Sequence, residues 1–213
     1  MLACECTVVH QPRRVVLTGG PGAGKTATLE MIKQSFCEHV RILPEAASIV
    51  FSGGFPRPRE GDGLKAAQRA IFFVQRELEA IAAAGNAAIV LCDRGTVDGL
   101  AYWPGPEDFL SSVGTTRDEQ FARYRTVIHL RTPPASGGYN RVNALRTESA
   151  TEAAAIDARL VQAWDGHPHR VIVENTPDFL AKAARVVELI HAELPPCCQS
   201  RTRESPRKFQ STR

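Results

Sequence analysis

The stretch LTGGPGAGKT, Leu17 to Thr26, limits what this chain can fold into more than any other. It carries G-x-x-x-x-G-K-[ST] with Gly19, Gly24, Lys25 and Thr26 in register. Glycines at that density let the backbone curl until successive N–H groups point inward and form an anion-binding concavity. Lys25 brings a mobile positive charge to the β- and γ-phosphates of a nucleotide, and the Thr26 hydroxyl is a ligand for Mg²⁺. The flanks supply the context such a loop needs. RVVLT, Arg14 to Thr18, is a short apolar, β-branched run that reads as a buried strand. After Lys25, the positions Leu29, Ile32 and Phe36 fall on one face of a helix, whose positive end adds to the cradle. The expected binding set is Gly20, Gly22, Ala23, Gly24, Lys25, Thr26 and Ala27, with Thr26 also on the metal. A dinucleotide site is excluded, because G-x-G-x-x-G has a different spacing and no lysine.

The rest of the chain alternates between strand and helix. VRILP (Val40 to Pro44) predicts a second strand, and AAIVLC (Ala87 to Cys92) a third. TVIHL (Thr126 to Leu130) predicts the fourth and RVIV (Arg170 to Val173) the fifth. Between them, Leu64, Ala67, Ile71, Val74, Leu78 and Ile81 trace a long helix stopped at Gly85-Asn86. Thr151 to Trp164 is a further helix. Thr176, Pro177 and Asp178 read as an N-cap, a first-turn proline and a first-turn acid for the last one, through Glu193. Residues 51–63 and 131–149 are irregular and rich in glycine and proline, the first of them suited to a substrate-side loop. Short apolar strands separated by helices imply an α/β fold with a parallel sheet covered on both faces.

Length suits one such domain: of 213 residues, 13–194 form the expected domain, 1–12 an N-terminal tail and 195–213 a disordered basic tail. From Gln199 onward, Arg201, Arg203, Arg207, Lys208 and Arg213 face the single acid Glu204, so the tail carries +4. A net charge of +3 therefore leaves −1 for the remainder, which argues against a broad nucleic-acid face. No apolar run approaches the ~20 residues of a membrane span, and the start lacks the pattern of a secretory signal. A cytoplasmic protein is expected. Six cysteines are present. Cys4, Cys6, Cys197 and Cys198 fall in the expected tails and Cys37 and Cys92 in apolar segments, with no histidine pair at zinc-finger spacing. They read as reduced thiols rather than a metal cluster.

Asp93 ends an apolar strand, where a carboxylate reaches the sheet's carboxyl edge beside the phosphate loop; it suits magnesium, or it caps the following turn. Arg94 meets a phosphate or pairs with a nearby acid. Asp98 reads equally well as a helix cap. Glu45, directly after the second strand, suits a base or orienting group for an acceptor hydroxyl, or is a solvated loop acid. Arg131, Arg141 and Arg146 could close over a γ-phosphoryl group or form an exposed basic loop, and Arg57 and Arg59 offer cations to an acidic substrate. Tyr102 and Trp103 could stack on a base. Trp164 reads as core and His129 as a satisfied buried side chain, and nothing recommends His167 or His169.

GGPGAGKT, PEAASIVFSGGFPR, LCDRGTVDGLAYW and LRTES together resemble the P-loop AAA-type ATPase family of NadR-like and Ttd14-like proteins, over about residues 13–192. Thymidylate kinase and other nucleoside kinases are broader kin. The resemblance implies a three-layer P-loop NTPase with a five-stranded parallel sheet in order 2-3-1-4-5 and a kinase-like lid. It places phosphate and metal on Gly22, Gly24, Lys25 and Thr26, the aspartate–arginine pair on Asp93 and Arg94, and lid arginines on Arg141 and Arg146. NadR-like members phosphorylate ribosylnicotinamide, whereas Ttd14-like members are GTP- and phospholipid-binding proteins. The leading expectation is a phosphotransferase that uses ATP or GTP with Mg²⁺ on an unidentified small-molecule acceptor, with Lys25, Glu45, Asp93, Arg94, Arg141 and Arg146 in catalysis. The alternative is a nucleotide-dependent switch that binds a protein or phospholipid through its loops or tail.

Overall fold

The computed structural model describes residues 4, 6–106, 108–133, 149–176 and 178–199. Five strands run parallel in the order β2-β3-β1-β4-β5: β1 Arg13–Thr18, β2 Val40–Leu43, β3 Ile89–Asp93, β4 Thr126–Leu130 and β5 Arg170–Val173. The helices are α1 Lys25–Ser35, α2 Ala46–Ser52, α3 Gly61–Ala83, α4 Phe109–Ser112, α5 Arg117–Phe121, α6 Ala150–Ala163, α7 Phe179–Glu193 and α8 Pro196–Gln199. A 3₁₀ segment, Thr96–Ala101, follows β3. Among the described residues no helix is long and apolar enough to cross a membrane.

Successive side chains of a strand point to opposite faces, and the two cores divide on that rule. Val15 and Leu17 of β1, Ile89 and Leu91 of β3, and Ile128 and Leu130 of β4 pack with α1 and α7 through Leu29, Ile32, Val186 and Ile190. Their neighbours Val16, Val90, Cys92 and Val127 turn to the other face and meet Ala82 of α3 and Ala163 and Trp164 at the end of α6. The sheet is thus covered on both sides, which is why its central strands read as continuous apolar runs.

Four local expectations are revised. The loop expected over 51–63 begins later, because AASIVFS continues as α2 as far as Ser52. The cap of α7 is Asp178, whose carboxylate accepts from Leu180 N, while the Thr176 hydroxyl donates to the Asp178 carbonyl. The buried face of α3 is also turned by about one residue. Gln68, Phe72, Gln75, Glu79 and Ala82 are buried, whereas Ile81, expected inside, is 62% exposed. Hydrogen bonds from Gln75 and Tyr124 to Glu79, and ion pairs to it from Arg14 and Arg123, draw a polar row inward. At the start of α6, Ser149 and Glu152 form a capping box, so the helix begins one residue before the expected Thr151.

Candidate functional site

Parallel strands deliver their C-terminal residues to one edge of the sheet, where open α/β proteins bind ligands. Leu17 of β1 lies beside Asp93 of β3, and Leu43 of β2 beside Cys92. The loop after β1, the acid ending β3 and Glu45 after β2 therefore emerge together.

Close approach shapes the loop. Gly19 has φ +139°, and a Cβ there would lie 2.1 Å from the Leu130 carbonyl oxygen, so only glycine fits. Gly24 at φ +95° turns the chain into α1. Gly20 N donates to Asp157 Oδ1 on α6 at 3.1 Å, the Thr132 hydroxyl donates to Pro21 O at 3.2 Å, and Lys182 Nζ donates to Ala23 O at 3.0 Å. Expected among the phosphate donors, Gly20 N–H is instead committed to holding the loop. Lys25 Nζ donates to Gly19 O at 2.7 Å and Gly20 O at 3.2 Å, folded back on its own loop. Thr26 and Ala27 are exposed on the first turn of α1.

Four charged side chains face the loop in an unrelieved balance. Burial, then the positive Arg94 nearby, brings Lys25 down to about 8, against the pull of Asp93 and Glu45. Burial raises the Asp93 carboxyl, with Lys25 opposing and Glu45 reinforcing. Asp93 Oδ1 is buried and has no hydrogen-bond partner among the described residues, which is costly unless a ligand supplies one. A buried carboxylate oxygen with no described partner fits the hard-donor chemistry of Mg²⁺, as does the exposed Thr26 hydroxyl at the head of α1.

Arg94 is the one non-glycine described residue with positive φ, at 74°, a conformation costing about 1–3 kcal/mol. What over-determines it is visible. Its N–H donates to Leu17 O at 3.1 Å, Nε to Glu45 Oε1 at 2.6 Å and Nη1 to Asp98 Oδ2 at 3.3 Å, and the guanidinium lies 5.6 Å from the Tyr102 ring centre. Burial alone would raise Glu45, but Arg94, the Ser48 hydroxyl and Lys25 outweigh it and hold the carboxyl down to about 2. Glu45 is therefore an anion at any working pH and a weak proton acceptor.

A family model for an AAA domain, AAA_28, matches residues 14–182, which take in the loop, both acids and Arg94. The chain belongs to this AAA domain family. Its strand order and loop are those of a P-loop NTPase. Among solved structures, it is similar to a NadR protein in complex with NR, with TM-score 0.68 and 16% identity over 87% of this chain and 52% of that one. It is also similar to NadR in complex with NAD and AMP-PNP, with TM-score 0.65 and 13% identity over 86% and 50%. The AAA domain thus spans about half the length of the NadR chains it matches. No curated protein sequence matches it.

Around the phosphate loop of this AAA domain stand residues that local pattern did not single out. Asp157 accepts from Gly20 N, pairs with His129 Nε2 at 2.9 Å and lies 3.3 Å from Arg131 Nε. Its signal was an acid inside the apolar stripe Ala153, Ile156, Leu160. Lys182, buried on α7, donates to Ala23 O, Arg131 O and Asn175 Oδ1 and so ties the loop to the ends of β4 and β5. Asp98 serves as a hub rather than a helix cap: it accepts from the Thr18 hydroxyl at 2.7 Å and Trp164 Nε1 at 2.6 Å as well as from Arg94. Tyr102 faces Arg94, Trp103 packs on Phe109, and Arg57 lies over Phe51. His167, passed over in the sequence, is buried against Trp164 with Nε2 3.1 Å from Tyr124 O. Arg141 and Arg146 lie outside the described residues.

Proposed function

We propose that this P-loop domain transfers the γ-phosphoryl group of ATP or GTP, held with Mg²⁺, to a small nucleoside- or nucleotide-like acceptor. The Glu45–Arg94 pair carries the reading. It is a charged couple fixed on a strained backbone at the loop's edge, beyond anything needed to grip phosphate. Lys25 and the loop N–H groups would hold the triphosphate, and Arg94 would set the position of Glu45. Magnesium bound by Asp93 and Thr26 would neutralise charge on the β- and γ-phosphates. Glu45 would accept a hydrogen bond from the acceptor hydroxyl and aim it. The acceptor oxygen bonds to the γ-phosphorus as the bond from that phosphorus to the β–γ bridging oxygen breaks, and the acceptor proton passes to water afterwards. A loose transition state asks little prior deprotonation of the acceptor, which suits an acid held at about 2. Arg141 and Arg146, outside the described residues, would add positive charge over the γ-phosphoryl oxygens. NadR structures that hold NR or a nucleotide analogue support starting the acceptor search among small nucleoside-like molecules.

The test is nucleoside-diphosphate release from ATP and GTP, with and without a mixed pool of nucleosides, nucleotides and sugars. Strong stimulation by the pool, with Glu45→Gln lowering transfer but sparing nucleotide binding, is the expected result. A slow rate indifferent to every acceptor would overturn the proposal and favour a nucleotide-dependent switch.

A further inference from the structure

At the amino edge of the sheet, opposite the phosphate loop, three distant segments converge. Cys37 and His39 occupy the turn from α1 into β2, Cys198 lies in α8, and Cys4, Cys6 and His10 precede β1. The sequence reading assigned Cys4, Cys6 and Cys198 to tails; instead they pack against the core between the sheet and α1 and α7. Cys37, His39 and Cys198 are buried, and no disulfide joins any of these cysteines.

The spacing is that of a coordination shell. Cys6 Sγ lies 3.5 Å from His10 Nε2, Cys198 Sγ lies 3.7 Å from His10 Nε2 and 3.6 Å from His39 Nδ1, and Cys37 Sγ lies 3.7 Å from His39 Nδ1. Zinc–sulfur and zinc–nitrogen bonds of about 2.3 and 2.0 Å at tetrahedral angles place neighbouring ligand atoms about 3.3–3.8 Å apart, a sulfur and a nitrogen about 3.5 Å. Two overlapping quartets have all their ligand atoms within 4.8 Å of one another: Cys6, His10, His39 and Cys198, and Cys4, Cys37, His39 and Cys198. The two imidazole rings meet edge to face at 4.8 Å between centres. Thiol–imidazole hydrogen bonds are weak, and a cluster of soft donors gathered in an apolar wall is better satisfied by a soft-tolerant cation.

We propose that this cluster is a structural Zn²⁺ site, with one ion held by Cys6, His10, His39 and Cys198. The first quartet is chosen because it brings in both imidazoles, with three of its ligand pairs at 3.5–3.7 Å. Four protein ligands close the shell, so the ion is structural rather than catalytic. It fastens the segment before β1 and the helix after α7 to the α1–β2 turn, about as far from the nucleotide as the sheet allows.

The full chain, purified and dialysed without chelator, is analysed for metal and thiols. One zinc per chain is expected, together with a lower melting temperature on chelation and its recovery when Zn²⁺ alone is returned. His39→Ala and Cys198→Ser should each abolish stoichiometric zinc, whereas the exposed Cys197 changed to Ser should retain it. Because those variants could fail to fold, the stripped wild type is also titrated with Co²⁺, whose visible spectrum reports a tetrahedral thiolate shell. Wild type that binds neither ion tightly would overturn the site. So would zinc retained in folded Cys198→Ser, or a cysteine pair recovered as a disulfide. Loss in Cys4→Ser/Cys37→Ser but not in Cys6→Ser/His10→Ala would overturn the chosen quartet.

Discussion

Two carboxylates lie inside this molecule on terms that could hardly differ more. Glu79 of α3 is fully buried, yet both its oxygens are engaged. Oε1 accepts from Gln75 Nε2 at 2.9 Å and the Tyr124 hydroxyl at 2.8 Å, and Oε2 pairs with Arg123 and, at 3.5 Å, with Arg14. Asp93 is half-buried, and its buried Oδ1 has no hydrogen-bond partner among the described residues. A buried carboxylate satisfied by its own chain belongs to the scaffold. One with no described partner, beside Lys25 and the phosphate loop, is a candidate ligand-binding group.

Mutations at the two sites should part along that line. Glu79→Ala strands Arg123 and Arg14 and should cost about 3–5 kcal/mol of stability, read by denaturant unfolding, while the folded fraction binds nucleotide normally. Asp93→Asn removes a desolvated charge and should leave the melting temperature unchanged or higher, yet lower magnesium-dependent turnover by about 100-fold. If Asp93→Asn unfolds the protein, the contrast fails. Asp157→Asn tests a carboxylate between these extremes, both anchored and close to the ligand. Loss of its charged hydrogen bonds should cost about 1.5–3 kcal/mol of stability and, by freeing Gly20 N, weaken nucleotide binding measured by calorimetry. The smallest effect is on pH. Lys25 at about 8 in the empty protein is mostly charged at pH 7 and mostly neutral at pH 9. Since the ammonium form binds phosphate, nucleotide affinity should fall by roughly tenfold across that window, and Lys25→Ala should erase the dependence along with the binding.

The same contrast explains what could be read without coordinates. β4 and β5 match the expected Thr126–Leu130 and Arg170–Val173 residue for residue, because apolar, β-branched runs have few other places to go. The loop was legible because its chemistry is local: glycines, lysine and threonine act through the backbone they sit on. Asp93, Arg94 and Glu45 were legible because strands parallel in a sheet deliver their ends to one edge. Glu79 and Gln75 were not, since an apolar count assigns α3 the face carrying Ile81, and only Arg123 and Tyr124, some forty residues on, reverse it. Asp157 and Lys182 act by reaching another element's backbone, which no spacing rule encodes. Cys6 and Cys198 stand at opposite ends of the chain, so no ligand spacing could join them.

The posture of Lys25 has a consequence for selectivity. With Nζ bound to the carbonyls of Gly19 and Gly20, the lysine is already engaged by its own loop, and an anion competes with those two carbonyls for it. A lone phosphate offers one set of oxygens in exchange for two internal hydrogen bonds and gains little. A triphosphate engages the lysine while its other phosphates occupy the loop, so the exchange favours it. If the loop takes a triphosphate as proposed, this internal pairing of the lysine would weight binding toward linked phosphates over single ones.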